Sequence, residues 1–250
     1  MTRFSRRLFH RNCLALAALG LAPAASAIGP GSKVRIGQIQ TGGVWDSRPE
    51  AARRILWETG KRSSIDVGRD AAIVELHTSD IFQHPLLLLT GTGAFEPFSA
   101  ESRGQLGRHL RYGGLLYVDG EHDDILFWES VNRELQLIFP QERIKDLPRD
   151  HVLFKSFFLL DKVVGRTEQK RPVQGIDLHD RTAVIMTRND VLGALERDKL
   201  GSWKYECVPG GNQQRELAIR FTINLMMYAT CLDYKSDQVH IPFIMKKKRR

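Results

Sequence analysis

Cysteine is scarce in this chain. Its 250 residues include three, Cys13, Cys207 and Cys231, with no Cys-x-x-Cys pair and no His-x-x-x-His pair. Those absences exclude the common zinc-finger spacing and the metalloprotease helix. No Gly-x-Ser-x-Gly occurs either, so the usual serine elbow of α/β hydrolases is missing. Internal repeats are absent, which excludes solenoids and propellers. Apolar runs are short: the stretch from Cys13 to Ala22 falls well below the roughly 20 residues that span a bilayer.

Acidic residues are missing from the first 27 positions, which carry Arg3, Arg6, Arg7 and Arg11. The last five residues, Lys246 to Arg250, are all cationic. The formal charge of +8 therefore sits at the two ends. Without these nine cations, 28 basic residues face 29 acidic ones. A nucleic-acid binder needs a basic stripe on its folded domain, and none is evident, so no nucleic-acid partner is expected. The basic tail either stays solvated or touches an anionic surface.

Ser5-Arg6-Arg7-Leu8-Phe9-His10-Arg11 resembles the twin-arginine export motif, with His10 and Arg11 departing from its usual residues. The apolar run follows, then Pro23 and the small residues Ala25-Ser26-Ala27, as signal peptidase requires. The expected division is a signal peptide over 1–27, one α/β domain over 28–235 and a C-terminal segment with the basic tail over 236–250. The expected location is the periplasm, with the twin-arginine machinery and signal peptidase as partners and no transmembrane helix in the mature chain. Such substrates generally cross the membrane folded, which leaves room for a cofactor loaded beforehand. In an oxidising compartment Cys207 and Cys231 either form a disulfide or stay as buried thiols.

From Lys33 onward, strand and helix patterns alternate. Val34 to Ile39 alternates apolar and polar residues. Pro49 suits the first turn of a helix running through Trp57. Ala72 to Leu76 reads as a strand, and Leu86-Leu87-Leu88-Leu89-Thr90 has the continuous apolar character of a central parallel strand. Ser99 is a fitting N-cap, Gly113-Gly114 ends that helix, and Leu115 to Val118 is the next strand. Asp123 or Asp124 caps a helix carrying Trp128, Val131, Leu135 and Ile138. Thr182 to Thr187 is a further strand, Arg166 to Arg171 a loop, and a long helix follows Asn212. This order predicts a doubly wound, mainly parallel sheet with helices on both faces.

Three segments carry a family resemblance: His84 to Gly93, Leu110 to Asp119, and Leu147-Pro148-Arg149-Asp150-His151-Val152-Leu153-Phe154. With the closing helix, they resemble the bacterial family catalogued as domain of unknown function 4159. The resemblance implies a flavodoxin-like, class I glutamine amidotransferase-like fold and assigns no reaction.

Two strand ends offer candidate chemistry. Thr90, Gly91 and Gly93 either cradle an anion with backbone amides or form a tight turn. Asp119-Gly120-Glu121-His122-Asp123-Asp124 packs five ionisable residues into six. Asp119, Glu121 and His122 suit a divalent metal or a cationic ligand, whereas the aspartates also suit helix caps and Glu121 suits a solvated face. Asp150 and His151 join this cluster from another loop, or His151 is a core histidine. Asn189 and Asp190 either bind a ligand or close a turn. In the amidotransferase architecture the nucleophile sits on the turn after a central strand. That turn reads Asp119-Gly120-Glu121-His122, and no cysteine, serine or threonine lies between Ser102 and Ser130. The expected function is thus a non-catalytic exported binding or assembly module. The alternative is a periplasmic hydrolase or metal-dependent enzyme using the acidic turn.

Overall fold

The structure is a computed structural model that describes residues 33–231. The signal peptide and the basic tail expected from the sequence lie outside the described residues. Among the described residues, those from Val34 onward form one compact unit.

Seven strands make one sheet in the order β2-β1-β3-β4-β7-β6-β5. They are β1 (Ile36–Ile39), β2 (Ala72–Val74), β3 (Leu86–Leu89), β4 (Leu115–Asp119), β5 (Lys145–Asp146), β6 (Gln174–Leu178) and β7 (Arg181–Thr187). The first five in that order pair in parallel, and β6 and β5 extend the edge antiparallel. Among the described residues, five α-helices flank it: α1 (Ala51–Arg62), α2 (Ala100–Arg111), α3 (Ile125–Ile138), α4 (Val191–Leu195) and α5 (Gly211–Thr230). The architecture is α/β with a mostly parallel mixed sheet, consistent with a flavodoxin-like fold.

The leucine run explains the two-sided burial. Successive strand residues point to opposite faces. Leu86 and Leu88 join Ile55, Leu56, Phe221 and Leu225 in the core under α1 and α5. Leu87 and Leu89 join Leu106, Leu110, Trp128 and Val131 under α2 and α3. Each such side chain taken from water contributes about 1.5–3 kcal/mol, so a polar residue in β3 would cost one core or the other.

Ser99 caps α2 by accepting from the Ser102 amide, and Asp124 caps α3 by accepting from the Phe127 amide at 3.1 Å. Helix α1 runs past Trp57 to Arg62. Buried Glu58 holds Arg54 four residues before it and Arg62, at 2.7 Å, four residues after, a pairing that the apolar pattern does not reveal. The β6–β7 hairpin also departs from the expected pattern. Gly175 and Asp177 weaken the strand signal of β6, and a register shift between Ile176 and Asp177 breaks its alternation.

Candidate functional site

The registers of β4 and β7 set Asp119 beside Thr187 at the carboxyl ends of two central strands. Asp119 is 1 % exposed. Its Oδ1 accepts from the Thr187 hydroxyl at 2.6 Å, and its Oδ2 accepts from the Leu192 amide at 2.7 Å. The buried Tyr117 hydroxyl lies 2.6 Å from the Thr187 oxygen and extends the chain of hydrogen bonds into the core. Burial, with the negative charge of Asp190 nearby, pushes the Asp119 carboxyl up to about 7. The donors from Leu192 and Thr187 oppose that rise.

Asp190 is the second buried carboxylate. It stands at φ 51°, ψ 55°, in the left-handed region that aspartate tolerates better than most residues, and caps α4 by accepting from the Gly193 amide. Arg48, in the loop after β1, donates to it through Nε at 3.0 Å and Nη2 at 2.8 Å. Arg166 donates through Nε at 2.5 Å. Both arginines also reach Glu121, at 2.8 and 3.2 Å. The Tyr205 ring covers them, with the Arg48 guanidinium 5.0 Å and the Arg166 guanidinium 5.6 Å from its centre.

Burial alone would raise the Asp190 carboxyl, but the bonds and charges of Arg48 and Arg166 outweigh it and hold the group below the ordinary range. The Arg48 guanidinium, though buried, is held above its ordinary value mainly by Asp190. Two adjacent carboxylates thus separate: Asp190 keeps its charge, and Asp119 is driven toward the neutral form.

The model of a family described as domain of unknown function (DUF4159) matches residues 35–230. The chain belongs to this family. No curated protein matches it.

Within this DUF4159 domain the residues singled out by sequence fall in three places. Asp119, Glu121, Asn189 and Asp190 gather on the carboxyl rim, where Glu121 and Asp190 hold the two arginines. Asn189 anchors the neighbouring loop, donating to the Val163 carbonyl at 3.0 Å and accepting from the Gln169 amide at 2.8 Å. His122 sits on the same turn, half-buried, with Nδ1 unpartnered. Asp124 caps α3 and accepts from the Gly93 amide at 2.8 Å, while Asp123 is exposed.

The Thr90–Gly93 turn is on this rim too, but its Thr92 and Gly93 amides are engaged within the protein. The Thr92 amide donates to the Val44 carbonyl at 3.0 Å, and Gly93 has φ 70°. Gly91 passes so close to the Val44 carbonyl that a β-carbon would lie 2.6 Å from it. The Thr90 hydroxyl faces Ser47 at 3.4 Å.

His151 lies at the other end of the sheet. Its Nε2 is 3.0 Å from the Thr182 hydroxyl at the start of β7, and its Nδ1 accepts from the Leu153 amide. His151 therefore does not converge with Asp119, and Asp150 is exposed in the loop beside it. Cys207 and Cys231 are free thiols, the first buried and the second partly so.

In the DUF4159 domain the turn after β4 presents no thiol and no hydroxyl. Of its carboxylates, Asp119 is engaged by Thr187 and Leu192, and Glu121 by Arg48 and Arg166. Among the described residues, no three His, Cys, Asp or Glu side chains are grouped to hold a metal ion.

Sequence reasoning missed Arg48, Arg166 and Tyr205. Arg48 had a signal, since it ends the loop after the first strand and precedes Pro49, a place that a doubly wound fold puts on the rim. Arg166 and Tyr205 sit in irregular segments with none. Also missed was a cleft of about 360 Å³ beyond the ends of β1 and β2, lined by Gln40, Thr41, Glu75, His77, Glu96 and Ser99. It lies beyond the carboxyl ends of the strands, the side of such sheets on which ligands collect.

Proposed function

We propose that this domain is a non-catalytic binding or assembly module of an exported protein, keeping an amidotransferase-like fold without its chemistry. The observation that carries the reading is the state of Asp119. It holds the nucleophile's place, yet it is buried and both oxygens accept hydrogen bonds from the protein. A covalent nucleophile needs an exposed attacking atom and a base within reach. The cleft beside Glu75 and Glu96 is the better seat for a bound group, because it opens beyond the carboxyl ends of the strands and takes no part in the arginine cluster. Export to the periplasm rests on Arg6-Arg7 and Ala25-Ser26-Ala27.

The second reading, an enzyme using the acidic turn, draws on the Asp119 carboxyl near 7, a range suited to general acid–base work. One experiment separates the two. Pure protein and Asp119→Asn are assayed for glutaminase and ester hydrolysis, with and without added divalent metal. Turnover in the wild type that vanishes in the variant would overturn the binding-module reading. No turnover dependent on Asp119 is the expected result.

A further inference from the structure

The outer side of α1 carries a feature unrelated to the carboxyl rim. A groove of about 760 Å³ runs between α1 and residues 67–70, with Arg197 at one end. This volume lies within the roughly 300–1,000 Å³ of small-ligand sites. Gly60, Val67 and Gly68 contribute little bulk to its lining, and Trp57, 48 % exposed, forms a flat wall.

The charge around it is one-sided. Arg53, Arg54, Lys61, Arg69 and Arg197 line the groove, against Glu50 and Asp70. Glu50 pairs with Arg53 and Glu58 with Arg54. Lys61, Arg69 and Arg197 make no ion pair with a described carboxylate.

The aromatic rings sharpen the imbalance. The Arg54 guanidinium lies 4.0 Å from the centre of Trp57 and 5.3 Å from that of Trp203. Lys61 approaches Trp57 at 4.6 Å, and Arg197 and Arg215 approach Trp203 at 4.0 and 4.4 Å. Three arginines thus meet at one ring. The Nε of each, Arg54, Arg197 and Arg215, is buried without a hydrogen-bond partner. Burial, and then the charge of Arg197, depress the guanidinium of Arg54. Arg54 shares Glu58 with Arg62, and Arg197 and Arg215 pair with no described carboxylate, so cations outnumber carboxylates around these indole faces.

We propose that this groove binds a small amphipathic anion, with a flat apolar body against Trp57 and Val67 and a carboxylate or phosphate among Arg54, Lys61, Arg69 and Arg197. The inference goes beyond the binding-module reading, because it concerns a different face of the domain. A long polyanion fits less well, since the cationic surface extends only about 18 Å along α1 and carries Glu50 and Asp70.

The test uses the mature protein at neutral pH, with tryptophan fluorescence and calorimetry as readouts. The probes are naphthyl phosphate, naphthoate, neutral naphthol, inorganic phosphate and a single-stranded oligonucleotide. Saturable binding of a naphthyl anion, at least about tenfold tighter than naphthol and inorganic phosphate, is expected. Comparing naphthyl phosphate with naphthoate distinguishes a phosphate ligand from a carboxylate one. Lys61→Glu with Arg69→Glu, both exposed positions, should weaken that binding about tenfold or more while circular dichroism stays unchanged. Equal binding of naphthol, unchanged affinity in the double variant, or tighter and steeply salt-dependent binding of the oligonucleotide would each overturn the proposal. If the double variant fails to fold, Trp57→Phe with raised salt serves instead, and undiminished binding there overturns it as well.

Discussion

Arg48 and Asp190 are separated by 142 positions in the chain and joined by two parallel hydrogen bonds of 3.0 and 2.8 Å. The fork of a guanidinium matches a carboxylate in this geometry, which a lysine cannot reproduce. The pair ties the loop after β1 to the start of α4 and closes the carboxyl rim over β4.

Removing one partner should therefore cost more than the pair itself contributes. Asp190→Asn leaves Arg48 buried without its charge partner and should destabilise the domain by about 3–5 kcal/mol in chemical denaturation. Glu121→Gln removes a partly exposed partner of the same arginines and should cost about 1 kcal/mol or less. Equal losses at the two positions would show that the buried pair is not the structural tie.

Asp119 should impose a pH dependence of its own. Its folded carboxyl titrates near 7, against 3.8 when unperturbed. Between those values the folded state holds a proton that the unfolded state has released, so stability falls as pH rises through the window. The slope should reach at most about 1.4 kcal/mol per pH unit. Asp190 has the opposite sign, with its contribution lost only as pH falls below the ordinary carboxyl range. Asp119→Asn keeps an oxygen for the Leu192 amide and should flatten the slope between about pH 4.5 and 7. An unchanged profile in that variant would assign the dependence to another group.

Two glycines should respond in opposite ways to alanine. A β-carbon on Gly165 would lie 2.2 Å from the Asn189 carbonyl oxygen and 2.6 Å from the Val191 amide nitrogen. These are backbone atoms of the rim and have no room to yield, so Gly165→Ala should cost about 1–3 kcal/mol. Gly104, inside α2, has nothing within 4 Å of such a carbon. Gly104→Ala should stabilise the protein by about 0.5–1 kcal/mol, read as a higher melting temperature.

Export should depend on the arginine pair. Changing Arg6 and Arg7 together to lysine should hold the precursor inside the cell, as fractionation would show. The exported wild type should begin at Ile28. Normal export of the double variant would remove the twin-arginine assignment.

The alternation of strands and helices was legible in the sequence, because burial on one face of a helix or on both faces of a parallel strand leaves a local pattern. Leu86 to Leu89 reads as a central strand for that reason, and Ser99 and one of Asp123 and Asp124 read as caps because a cap bonds within three residues of itself. The acidic turn was legible as a cluster but not in its role. Only the register of β4 against β7 buries Asp119 beside Thr187. Only the packed fold brings Arg48 and Arg166 to Asp190 and Glu121, and carries His151 to the opposite end of the sheet. Those relations join residues far apart in the chain. A carboxylate's charge, exposure and partners are set by what surrounds it in space, and no local period records that.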